Sequence, residues 1–124
     1  GIADESPAVR TEMDAADPAA IVTAHALAGD DAACVEALGM FISIYGAEAG
    51  NLALKVMAWG GVYIAGWIAP RIAPALRDGA FIRSFRDKGR HGTLLSAVPV
   101  HLIVNERTGL LGAAALAADS LRTT

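Results

Sequence analysis

The stretch Trp59-Gly60-Gly61-Val62-Tyr63-Ile64-Ala65-Gly66-Trp67, WGGVYIAGW, decides how the rest of the chain is read. Four apolar residues stand between glycines, two of them β-branched and one aromatic. A short continuous apolar run of this kind suits a strand covered on both faces, as in a parallel sheet. Trp59-Gly60-Gly61 breaks what comes before, and Gly66 ends the run. The fold class then turns on what flanks it.

Upstream, Val35, Leu38, Ile42, Tyr45, Ala49, Leu52 and Val56 recur at steps of three and four. That period predicts a helix from an Asp30 or Asp31 cap to about Ala58. Met40, Phe41, Ile44 and Leu54 make its other faces nearly as apolar, which implies burial on most sides. Gly39, Gly46 and Gly50 each cost about 1 kcal/mol in a helix relative to Ala. Their expected role is close approach of another element. Asp17-Pro18 opens a shorter helix that runs to about Leu27 and stops at Gly29. Residues 1–16 are polar and acidic and read as a flexible arm, leaving 17–124 as the folded part.

Downstream, a helix is expected over 70–78 with Gly79 past its end, and another over 80–88 with Gly89 as its stop. Pro99 opens a second strand, Val100 to Val104. Thr108 can cap a last, alanine-rich helix from Gly109 to about Arg122. The order is α-α-β-α-α-β-α: an α/β chain, helix-rich, with a short parallel sheet and a helical crossover. Two strands alone make a poor sheet, so partner strands should come from another chain or a larger parent.

Bulk properties narrow the function classes. A length of 124 residues allows one domain with a modest core. A hydrophobic share of 54% against 19% charged argues against disorder. The net charge of -3 gives no reason to expect a nucleic-acid partner. Within it, residues 71–90 gather Arg71, Arg77, Arg83, Arg86, Lys88 and Arg90 against two acids. This is either a solvated basic face or a surface near a phosphate or an acidic partner. Cys34 is the single cysteine, which suits a reducing, cytoplasmic setting and a small core residue. Mean hydropathy is +0.43. The longest uncharged runs, 37–47 and 56–70, fall short of the ~20 residues of a spanning helix, so no membrane is expected. The acidic start has no signal peptide pattern. A start at Gly1 suggests an engineered or proteolytic piece.

In parallel α/β folds, ligands lie beyond the carboxyl ends of the strands. Here those ends are Gly66-Trp67 and residues 105–109. Either Gly66 lets a ligand approach backbone and the helix starting near Gly109 offers free N–H groups to an anion, or these glycines are the ordinary turn residues that follow strands. His25, His91 and His101 lack metal-ligand spacing, so no metal site is expected from these residues. There is no G-x-x-x-x-G-K-[ST] loop, and no acid–base pair stands out.

Four segments then stand in a telling order: GAEAGNLALKVMAWGGVYIAGWIAPRI, FIRSFRDKGR, VPVHLIV and GLLGAAALA. Together they resemble the C-terminal part of bacterial glucokinases, from about Ala24 to Ala117. The resemblance implies part of a ribonuclease-H-like domain of the actin-like ATPase type. It implies a parent that transfers the γ-phosphate of ATP, with Mg2+, to the 6-hydroxyl of glucose. It places Gly60, Gly61 and Gly66 near nucleotide and gives Phe85, Lys88, Gly89 and Arg90 a place in a family motif.

Two departures qualify it. The family's D-x-G-G-T segment, its sugar-binding Asn-Asp pair with the catalytic aspartate, and its E-x-x-H segment are absent from these residues. The family's double glycine is Gly66-Trp67 here. The indole either fills adenine space, stacks on adenine, or packs away from the cleft. The expected nucleotide-side positions are therefore Gly60, Gly61, Gly66, Trp67 and Gly109, with no catalytic residue in the chain. The leading reading is a C-terminal, nucleotide-side portion of a glucokinase, inactive alone and missing its N-terminal segment. A non-catalytic module that self-associates as a homo-oligomer is the rival, and one half of a split kinase a third.

Overall fold

The structure, a computed structural model, describes residues 4–122. Its elements run α1 (Pro7–Ala15), α2 (Pro18–Ala28), α3 (Ala32–Val56), β1 (Val62–Ile64), α4 (Ile68–Arg71), α5 (Ala73–Arg77), α6 (Ala80–Arg86), a 3-10 turn (Gly89–His91), α7 (Gly92–Ser96), β2 (Val100–Leu102) and α8 (Thr108–Arg122).

Caps explain the first three helices. Asp17 accepts from the Ala19 N–H, Pro18 fits the first turn, and Gly29 closes α2 in the left-handed region at φ 72°. Asp31 accepts from the Cys34 N–H and so opens α3. The same pattern opens α1, where Ser6 accepts from the Val9 N–H just before Pro7. Residues 7–15 are thus a helix where the acidic composition reads as a loose arm, and Val9 is 2% exposed.

The core lies between α3, α6, β1 and the turn after α7. Leu38, Ile42 and Ala53 of α3 meet Phe81 and Phe85 of α6, with Ile64, Ile72, Leu95 and Val98 around them. Tyr45 meets the Phe81 ring edge-on at 5.6 Å and 89°. The crossing depends on two glycines. A Cβ on Gly46 would press into the Phe81 backbone, and one on Gly50 into that of Phe85. Gly39 has open space, so the expected close approach holds at two of the three positions.

Three further expectations are corrected. First, α3 is buried along one stripe only: Val35, Met40, Phe41, Ile44, Leu52 and Val56 are all exposed. Second, β1 is covered on one face only. Ile64 points into the core, while Tyr63 is exposed and stacks on His101 of β2 at 4.9 Å. The strands pair in parallel, Val62 with Val100, Tyr63 with His101 and Ile64 with Leu102. Third, the crossover holds four helices and a 3-10 turn, not two helices. Pro74 lacks an N–H and its ring opposes the carbonyl of Pro70, so the helix expected over 70–78 splits at Ile72.

Helix α3 is also long and apolar enough to cross a membrane, unlike the uncharged runs counted along the sequence. Here it is the central helix, with α2 on one side and α6 on another.

Candidate functional site: an apolar groove at the end of the first strand

Parallel pairing puts the carboxyl ends of β1 and β2 at one edge, where the Ile103 N–H donates to the Ile64 carbonyl at 2.9 Å. Beyond β1 the chain turns at Gly66, whose φ of 109° is a left-handed value that side chains rarely adopt. No atom lies within 4 Å of where a Gly66 Cβ would stand, so the turn itself, not crowding, calls for glycine.

Trp67 follows directly and caps α4. It is half-exposed, and the Arg71 guanidinium sits over its ring at 5.0 Å. The two residues are four apart, one turn of helix, which is why they meet. A cation over an indole face is attracted by the ring quadrupole.

Both side chains form one wall of a groove of about 560 Å³. Helix α2 supplies a second wall through Val22 and Leu27, and α3 the floor through Leu38 and Phe41. The lining is largely apolar, with Thr23 and Arg71 as the polar groups. This volume lies in the range of small-molecule pockets, and few polar groups on an apolar lining are the usual pattern there. Chemically the groove suits a flat, apolar ring system that carries negative charge toward Arg71.

The five sequence-predicted positions do not converge. Trp67 lines the groove, and Gly66 makes the turn into it. Gly60 and Gly61 lie at the opposite, amino-terminal end of β1. Gly61 has φ 115°, and a Cβ there would stand 3.1 Å from Pro99 Cγ and O. Its requirement for glycine is thus met by strand pairing: the neighbouring Val62 N–H donates to the Pro99 carbonyl at 2.9 Å. Gly109 is the second residue of α8, with open space where a Cβ would be. Asn105 prepares that helix, accepting the Arg107 N–H on its side chain and the Thr108 hydroxyl on its carbonyl.

Sequence reasoning missed the groove's partners. Arg71 stands in the basic set but carried no link to Trp67. Leu27 reads as the end of the short helix and Phe41 as a residue on a second face of the long one. The available signal was the four-residue step from Trp67 to Arg71. That α2 and α4 line one groove has no local signature.

Groups of three or more His, Cys, Asp or Glu that could hold a metal ion are absent among the described residues. Magnesium keeps several waters and leans on one or two carboxylates and the substrate's own phosphates. Glu106 is the one carboxylate on the 105–109 loop.

Comparison with known proteins bears on the chain as a whole. The chain is 48% identical over 109 residues to a glucokinase of Synechocystis sp., covering 88% of this chain and 31% of that protein. It is 50% identical over 102 residues to a glucokinase of Nostoc sp., covering 82% and 30%. The crystal structure of a glucokinase from an Antarctic psychrotroph superposes with a TM-score of 0.71 at 36% identity, over 79% of this chain and 30% of that one. The chain therefore spans about a third of the length of these relatives. The family model for glucokinase matches residues 2–120, and the chain belongs to the glucokinase family.

Proposed function

We propose that the chain is the C-terminal, nucleotide-side portion of a glucokinase that phosphorylates glucose at the 6-hydroxyl with ATP and Mg2+, and that it is inactive alone. The groove between α2, α3 and α4 receives the adenine end of the nucleotide. Trp67 offers a ring face for stacking, and Arg71 a cation on the side where the phosphates leave. The observation that carries this reading is the half-exposed Trp67 under Arg71 at the carboxyl end of β1. Of the three readings of the indole, its position on the groove wall favours stacking or filling over packing away. Glucose, the catalytic base and the metal's other ligands belong to the two thirds of the family's length that this chain does not span. The expected setting is cytoplasmic, without nucleic acid or membrane.

Tryptophan emission tests the reading. In a Trp59→Phe background, Trp67 is the only indole left. Saturable quenching by ADP or ATP is expected, with glucose alone giving none. Unchanged emission and no binding heat at millimolar nucleotide would refute it. Glucose 6-phosphate formation should be absent from mass-checked chain.

A second reading has its own observation. Helix α8 is exposed along its whole length, and Leu110, Leu111, Leu116 and Leu121 face solvent. Apolar surface of this extent drives association, so the chain by itself should form homo-oligomers.

A further inference from the structure

A cluster of titratable groups lies outside the groove, where α1, α2 and the α2–α3 turn meet. His25, in the last turn of α2, has carboxylates at both ring nitrogens. Asp30 Oδ1 of the turn lies 2.7 Å from Nδ1, and Glu12 Oε2 of α1 lies 3.2 Å from Nε2. A neutral imidazole has one N–H and can donate to only one of them. The other nitrogen then turns a lone pair toward an oxygen. Only the imidazolium donates to both.

The other end of α1 is held differently. The Ser6 N–H donates to Asp31 Oδ2 at 3.0 Å, and the Cys34 N–H to Asp31 Oδ1 at 3.0 Å. One carboxylate thus ties the start of α1 to the start of α3. Between the two attachments, Val9 is buried.

We propose that α1 is a pH-dependent flap, hinged where Ser6 meets Asp31 and latched at Glu12 by doubly protonated His25. Two attachments on one nine-residue helix respond to pH in separate ranges. The hydrogen bonds from Asp30 and Glu12 raise His25 above its ordinary 6.5. A raised value means the latch is complete below 6.5 and is lost as pH rises through the higher, folded value. The backbone donors of Cys34 and Ser6 lower Asp31 to about 2, so the hinge stays ionised throughout.

The neighbouring charges do not compete. Arg10, the one Lys or Arg among residues 1–31, pairs with Glu5, just ahead of the cap of its helix. At the start of α3, Asp31 is occupied by its two donors, and burial pushes the Cys34 thiol up, keeping it neutral. Glu12 and Asp30 therefore set the His25 charge. Release frees the Glu12 end of α1 from α2, another face of which lines the groove. The device stands without the nucleotide reading, because every group in it belongs to α1, α2 and the start of α3.

The test is an NMR titration of the 15N-labelled 124-residue chain, with amide exchange corrected for intrinsic base catalysis. The His25 ring should titrate above 6.5. Protection at Thr11 to Ala16 should fall several-fold at the same midpoint, Ala16 being the residue whose N–H donates to the Glu12 carbonyl. Protection at Ser6 should persist. Glu12→Gln should lower the His25 midpoint, and His25→Gln should abolish the step. A chain with no step, a step of equal size in His25→Gln, or loss of Ser6 protection at the same midpoint would each overturn the proposal.

Discussion

Gly46→Ala should destabilise the chain, while Gly39→Ala on the same helix should stabilise it. A methyl on Gly46 would stand 3.0 Å from both the Cα and the carbonyl carbon of Phe81, and nearer still to its oxygen. Carbon pairs settle at ~3.5–4.0 Å, so α6 must retreat by roughly 1 Å. The obstacle is backbone, which no rotamer change relieves. Retreat also loosens Phe81 and Phe85, which are 4% and 0% exposed. Overpacking of this kind costs ~1–3 kcal/mol, and a rigid obstacle belongs at the upper end. Against it stands the gain of about 1 kcal/mol for Ala over Gly in a helix. The net loss is about 2 kcal/mol. At Gly39 a methyl meets nothing within 4 Å, so only the gain remains. Urea denaturation reads both. With a slope of ~2 kcal/mol/M, the Gly46→Ala midpoint should fall by about 1 M and the Gly39→Ala midpoint should rise by about half that. A Gly46→Ala midpoint at or above that of the parent chain would refute the glycine crossing.

Two further outcomes are expected. The depressed pKa of Asp31 contributes stability that is complete above its ordinary 3.8 and lost as pH falls through about 2, so Asp31→Asn should lower Tm at pH 7 and remove that part of the acid transition. An unchanged Tm at pH 7 in calorimetry would count against it. Replacing Leu110 and Leu116 together by Lys should shift the sedimentation coefficient toward monomer; a parent chain already monomeric at micromolar concentration would contradict the role given to α8.

Much of the fold was legible where capping chemistry is local. Asp17-Pro18 and Gly29 delimit α2, and Asp31 opens α3, as their positions imply. The same Ser-Pro logic stands at Ser6-Pro7, but the acidic composition around it masks the cap that opens α1. Helix α7 is five residues long and begins at a glycine, too short for periodicity to mark. The strand's single covered face was missed because an apolar run looks alike whether one face or both are buried. The candidate site was the least legible. Gly66 and Trp67 could be placed from the strand end, yet the groove exists only because α2, α3 and α4 all line it. Gly61 has a reason of its own to be glycine, the close approach of Pro99 beside the strand pairing, which lies across the sheet and not in the local sequence.

The α3–α6 crossing also bears on the order of folding. The parallel pairing of Val62 with Val100 must close a long loop, and loop closure costs entropy before any ladder bond repays it. Once Phe85 seats on Gly50, the chain between β1 and β2 is already pinned near its middle. The span still to be closed is then the shorter one from Phe85 to Val100. Gly46 and Gly50 would thereby act as kinetic residues. Their substitution should slow refolding as well as speed unfolding, which places the glycine seat in the transition state and the two-stranded sheet after it.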